Sequence, residues 1–281
     1  MGRGMALNLA RAYPVLGHDV DPSRFRDLAG IERAAGVGEI ASRCAVICLS
    51  LPSAAIVEEV TIGPGGLAEG MKRGGLVIDL STSLPSVSRR IAAHLAEKGI
   101  DFVDAPVSGG EAGAREASLA IMAGAAQPAF DRSLPYLSAM GASVVRVGDV
   151  GAGGVAKLVN NMIVGTAFAV IAEGFALAAS NGIAADVLYE SIRGGWAGSK
   201  VLDLCAPAIA AREYVPGGTI DMLTRDLDYA RSLAGESRVP IPMSATAHEM
   251  FVAAQAAGHG GKSQPALFEL WRSLLDARRG V

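Results

Sequence analysis

The sequence predicts an α/β protein: a doubly wound, mostly parallel sheet in the first half, then an all-α half built on one long central helix. Three observations carry this. Short apolar runs alternate with helical stretches through residues 1–150. Those runs are uninterrupted, which indicates burial on both faces, as in parallel sheets. Beyond Gly151 only helical patterns remain. The expected domains are therefore 1–150 and 151–281.

The strand-like runs are 13–18, 45–49 (AVICL), 76–80 (LVIDL), 102–105, 119–123 and 144–147. Between them, 85–98 reads as a helix, with Pro85 at its start and Gly99 just past its end. From 155 to 180 apolar residues occupy nearly every face, and Asn181-Gly182 supplies the stop. Such a helix spans roughly 40 Å at 1.5 Å per residue. Apolar character all round places it at the centre of the second half and suggests a dimer surface. Residues 184–193, 198–212, 219–236, 243–257 and 264–278 read as further helices with Gly or Pro breaks.

Composition narrows the function classes. Hydrophobic residues are 51% and charged residues 19% of 281, which excludes a disordered chain. A formal net charge of -3 and the lack of a basic run give no reason to expect a nucleic-acid partner. Cys44, Cys48 and Cys205 are odd in number and sparse, which argues against a disulfide framework; Cys44 and Cys48 flank an apolar run and read as buried, inert thiols. The histidines show no metal-like spacing, so no metal is expected. The longest apolar stretch, 162–172, is shorter than the ~20 residues a membrane span needs. The N-terminal residues lack a secretory pattern. A soluble cytoplasmic protein without a membrane partner is expected.

Four stretches can carry chemistry. Met1-Gly2-Arg3-Gly4-Met5-Ala6-Leu7-Asn8-Leu9 is, alone, only a helix with early glycines. Asp19 closes the strand-like run 13–18; an acid after the second strand of a dinucleotide fold accepts hydrogen bonds from the adenosine ribose hydroxyls. Its charge would oppose a 2′-phosphate, favouring NAD over NADP, although an ordinary turn aspartate fits equally well. Asp104-Ala105-Pro106-Val107-Ser108-Gly109-Gly110 ends a strand in a turn that is either plain or a nest of N–H groups able to hold a carboxylate. Lys157 and Asn161 lie at i and i+4, on one face of the long helix and near its start. The helix dipole and partial burial both disfavour an ammonium there, which suits proton shuttling; a snorkelling surface lysine is the bland alternative.

In order and spacing these stretches resemble the β-hydroxyacid dehydrogenase family along nearly the whole chain. Residues 1–9 match the end of its Gly-rich signature, DAPVSGG its substrate signature, and GAGGVAKLVNN its catalytic-lysine signature. Residues 194–203 (GGWAGSKVLD), with Ala206-Pro207, are similar to the tartronate semialdehyde reductase branch, near 3-hydroxyisobutyrate and L-threonate dehydrogenases. The resemblance implies a Rossmann-type domain followed by an all-α one, and an NAD-dependent enzyme acting on a small hydroxy acid or semialdehyde as a homodimer or homotetramer. It places Gly2, Asp19, Leu51, Pro52, Thr82 and Arg225 on the cofactor, Ser108, Gly109, Gly110 and Asn161 on the substrate, and Lys157 at the proton.

The sequence departs from the family at three points. Arg225-Asp226-Leu227 stands where the family has Lys-Asp-Leu, and Ser263-Gln264-Pro265-Ala266 where tartronate-type relatives show Asp-x-Ser-Ala. The family's first strand and first two fingerprint glycines are absent, so about a dozen upstream residues are expected to be missing. Two rival readings remain: a nucleotide-fold binding protein without turnover, and an imine-reductase relative, a class that usually lacks a lysine at position 157.

Overall fold

The computed structural model describes residues 1–26, 28–215, 217–272, 275 and 276, in two compact units, Met1–Lys157 and Leu158–Val281. The first unit contains α1 (Gly2–Leu9), β1 (Val15–Gly17), a 3₁₀ turn (Pro22–Phe25), β2 (Ile31–Arg33), α2 (Val37–Arg43) and β3 (Val46–Leu49). It continues through α3 (Ala54–Ile62), α4 (Leu67–Gly70), β4 (Leu76–Asp79), α5 (Pro85–Glu97), β5 (Asp101–Asp104) and β6 (Val107–Ser108). Then come α6 (Gly110–Glu116), β7 (Leu119–Gly124), α7 (Gln127–Ser138) and β8 (Gly141–Gly148).

The apolar runs form strands because the sheet covers them. All four residues of β4 are buried between its parallel neighbours β3 and β5. The helix α5 opens on Pro85 and buries Val87, Ile91 and Leu95, an i, i+4, i+8 stripe. The main sheet is parallel except at β7, which runs antiparallel to β5 and β6 and parallel to β8. One expectation needs correction. The strand β8 is an edge: Val145 and Val147 stay exposed, so its apolar run is not a two-face burial signal. The short β2 and α2 carry no long periodic pattern and were not anticipated.

The strands fall into two sheets. β1 pairs only with β2, whereas β3 ends the six-stranded sheet. Val15 of β1 and both Val46 and Cys48 of β3 pack against one hydrophobic core. Among the described residues, no strand joins the two, and each strand has an edge without a strand partner.

The helix α8 (Ala152–Ser180) begins in the first unit and continues into the second. The second unit adds α9 (Ala185–Ile192), α10 (Lys200–Ala211), α11 (Ile220–Ser237), α12 (Pro242–Ala256) and a 3₁₀ helix (Gln264–Trp271). Of the helix expected over 264–278, residues 273, 274, 277 and 278 lie outside the described ones. Phe168, Ala172 and Phe175 of α8 pack with Leu202, Leu227, Phe251 and Leu267. Cys205 sits in the same core, and burial pushes its thiol up to about 12. Cys44 and Cys48, expected to be buried, are only partly so, because Cys44 precedes the short β3 run and Cys48 lies on that strand at the end of the sheet.

The long helix is not covered all round. Val159, Ile163, Val170 and Leu177 are 46, 67, 58 and 68% exposed. By length and composition α8 would be able to cross a bilayer, contrary to the estimate from residues 162–172, because its polar breaks are uncharged for several turns. A core helix meets the same test, and the buried face of α8 is a core face.

Candidate functional site

At the carboxyl end of β4, Asp79 is fully buried and organises two loops. Its Oδ1 accepts from the Ser81 N–H at 3.0 Å, and its Oδ2 accepts from the Ser83 hydroxyl at 3.0 Å. Ser81 Oγ in turn accepts from the Leu51 N–H at 2.8 Å, tying the β3 loop to the β4 loop. Burial raises the Asp79 carboxyl to about 6, against the lowering effect of these hydrogen bonds. Thr82 stands half-buried between two buried serines, Leu51 is half-buried and Pro52 is exposed. These residues therefore flank the carboxyl ends of adjacent parallel strands, where open α/β sheets bind ligands.

Asp19 is exposed beyond the end of β1, and one of its oxygens accepts from the Asp21 N–H at 2.9 Å in an Asx turn. Gly2 opens α1 beside Ser50, and a Cβ there would make only ordinary contact, at 3.5 Å. The glycine that packing demands in this helix is Gly4, where a Cβ would come within 2.8 Å of the Ala114 carbonyl oxygen. One turn later, Asn8 donates to that same oxygen at 2.7 Å, fastening α1 to the end of α6.

Asp104, at the end of β5, is 1% exposed and faces the start of α8. Its Oδ1 accepts from the Gly151 N–H at 2.7 Å and its Oδ2 from the Gly154 N–H at 2.9 Å. Burial raises its carboxyl to about 7 despite these bonds. Further along the same segment, Ser108 pairs with Ala120 and is half-buried, while Gly109 (φ 136°) and Gly110 (φ 65°) are exposed in backbone conformations that disfavour a side chain.

Lys157 is half-buried in the second turn of α8. In the second unit Asn161 is buried and donates to Asp226 Oδ2 at 2.7 Å, while its own oxygen accepts from Asn160 at 3.0 Å. Asp226 Oδ1 accepts from Arg225 Nε at 3.0 Å and Nη2 at 2.6 Å. Arg225 also stands 5.9 Å from the Tyr229 ring centroid, within cation–π range.

Sequence reasoning gave no role to Asp79, Asp104 or Asp226. Asp79 and Asp104 had a legible signal: each is a charged residue inside an otherwise apolar strand run, and burying it demands partners.

Two family models match in tandem. The NAD binding domain of 6-phosphogluconate dehydrogenase matches residues 1–148, and the NAD-binding domain of NADP-dependent 3-hydroxyisobutyrate dehydrogenase matches residues 151–271. The chain belongs to the β-hydroxyacid dehydrogenase family. This dehydrogenase is 34% identical to 2-(hydroxymethyl)glutarate dehydrogenase of Eubacterium barkeri, over 98% of this chain and 92% of the relative. It is 34% identical to 3-hydroxyisobutyrate dehydrogenase of Pseudomonas aeruginosa, with 97% and 95% covered, and 31% identical to 2-hydroxy-3-oxopropionate reductase of Escherichia coli, with 96% and 93% covered. Among solved structures, 3-hydroxyisobutyrate dehydrogenase of Salmonella typhimurium superposes with a TM-score of 0.88 at 31% identity, covering 96% of this chain and 95% of that one. The dehydrogenase is thus an NAD(P)-dependent oxidoreductase acting on CH–OH groups of a small molecule. Relatives matched over nearly their whole length favour this over a binding protein without turnover. Imine reductases also match, at TM-scores of 0.57 to 0.64 and 18 to 21% identity, and share the fold.

The raised carboxyls of Asp79 and Asp104 give stability a definite pH dependence. Both bind protons more tightly folded than unfolded, so the cost of ionising them is absent below about pH 4, builds between about 4 and 7, and is complete above about 7. The urea midpoint should therefore fall as pH rises from 5 to 7.5, and Asp104→Asn should flatten that slope. A slope unchanged in the variant would contradict the assignment.

Proposed function

We propose that this dehydrogenase interconverts a small β-hydroxy acid and the matching semialdehyde carboxylate, of the tartronate semialdehyde or 3-hydroxyisobutyrate type, using NAD(H). The observation that carries the reading is the placement of Lys157 and Asn161 four residues apart on α8, a helix whose first turn is bonded to the strand segment leading to Ser108. The names of the relatives support the substrate class: each denotes a carboxylate with a hydroxyl or oxo group on the β carbon or its hydroxymethyl equivalent.

In this reading Ser108 and the backbone N–H groups of Gly109 and Gly110 bind the substrate carboxylate. Asn161, held by Asp226, orients the reacting oxygen. Lys157 gives a proton to that oxygen in reduction and removes it in oxidation. When bound, the nicotinamide supplies or accepts the hydride. Gly2, Leu51, Pro52, Thr82 and Arg225 would line the cofactor, with residues 1–150 as its domain and 151–281 serving substrate and assembly. Asp19 fits the ribose hydroxyls, because it is exposed, fixed by its turn, and repels a 2′-phosphate. NAD is accordingly preferred to NADP. Function in the cytoplasm accords with such metabolic chemistry.

The same reading includes a second copy of the chain. Val159, Ile163, Val170 and Leu177 fall within about 40° of arc on α8, an exposed apolar stripe of the kind that self-association covers. The dehydrogenase is expected to sediment as a dimer or larger species, and Ile163→Glu with Val170→Glu to shift it towards monomer. A wild-type chain that sediments as a monomer would remove this part of the reading.

The chemical reading is tested by turnover of a panel of short hydroxy acids with NAD and with NADP. Lys157→Ala should lower kcat by about 10²-fold or more while leaving cofactor affinity intact. NAD should outperform NADP, and Asp19→Ser should narrow the gap. Near-normal turnover by the lysine variant would end the proton-transfer assignment.

A further inference from the structure

We propose that Asp104 is the positioning residue for Lys157, because its two carboxylate oxygens fix both the height and the rotation of the opening turns of α8, up to Lys157, against the end of β5. The inference rests on Lys157 as the proton-transfer residue and adds the group that places it.

The grip is bidentate. One oxygen holds the Gly151 N–H, just before the helix, and the other holds the Gly154 N–H, in its first turn. A single hydrogen bond would fix a distance. Two bonds to amides three residues apart also fix the angle about the helix axis. The first turn is seated so tightly that only glycine fits: a Cβ at Gly153 would overlap the carbonyl oxygens of Asp104 and Met122. On the facing strand, a Cβ at Gly124 would fall 2.5 Å from Asp104 Oδ1 and 2.7 Å from the Gly153 nitrogen. Lys157 lies at i+4 from Gly153 and i+3 from Gly154, so it continues the helix face that is pressed against Asp104.

The fixed rotation matters for chemistry. With side chains reaching about 6 Å from a helix axis, a turn of about 15° moves a side-chain tip by about 1.5 Å. Misplacement of about 1 Å is enough to cost on the order of 10²-fold in rate. Asp104 bridges 47 and 50 residues of chain to make these bonds, and it begins the very segment that ends in Ser108-Gly109-Gly110. It therefore ties the lysine-bearing helix to the turn proposed to hold the substrate carboxylate.

The test is a double-mutant cycle. Asp104→Asn keeps the size but turns one acceptor into a donor facing an N–H group. Alone, it should lower kcat about 10- to 100-fold, with the NADH dissociation constant and substrate KM changed less than about threefold. In a Lys157→Ala background the same substitution should change kcat by less than about twofold, since the group it positions is gone. If Asp104→Asn does not fold, Asp104→Ser, which retains one capping oxygen, takes its place in the cycle with the same expectation. Equal losses in both backgrounds would overturn the positioning role while leaving Lys157 in place. A variant with lowered melting temperature but wild-type kcat would reduce Asp104 to a structural cap. If Lys157→Ala itself leaves turnover intact, the proton-transfer reading fails and this inference fails with it.

Discussion

The bond between the Asp104 carboxylate and the backbone amides at the start of α8 solves two problems together. A helix start leaves N–H groups without partners, and a charged residue at the end of a buried strand leaves oxygens without water. Here each satisfies the other, at 2.7 and 2.9 Å. The helix dipole adds favourable potential at that end. Burial still outweighs these gains and leaves the carboxyl raised, so this carboxylate is held in place at some cost in stability. Gly124 and Gly153 are required because the strand and helix meet backbone to backbone.

The neighbouring strand meets the same difficulty differently. β4 also ends in a buried aspartate, but Asp79 is held by the loop that follows it. Its oxygens are satisfied by the Ser81 amide and the Ser83 hydroxyl, and Ser81 passes the connection on to Leu51. Two adjacent strand ends thus hold the loops that follow them by short polar networks.

Much of this was legible in the sequence. The apolar runs gave the strands of the main sheet, and Pro85 with Gly99 bracketed α5, because both patterns are local. The short β2 and α2 escaped because three and seven residues are too few to show a period. The antiparallel course of β7 escaped because direction is set by the pairing of distant segments. For the site, Lys157 and Asn161 stood out by spacing within one helix. The grip of Asp104 on Gly151 and the hold of Asp226 on Asn161 did not, since they join residues 47 and 65 positions apart. Uniform apolarity along α8 was read as burial. Composition alone does not distinguish a face covered within one chain from one left open, and α8 has both.

The Ser81-Thr82-Ser83 turn alternates in burial like a strand: buried, half-buried, buried. Its length is therefore as constrained as a strand's register. Loops ordinarily absorb insertions and deletions, but one residue gained or lost here would exchange the anchored and the presented side chains. It would strip Asp79 of its partners and release Leu51 in the same event. Among homologous chains this loop should accept substitutions that preserve its three hydroxyl-bearing positions, yet resist any change in the number of residues between Asp79 and Pro85.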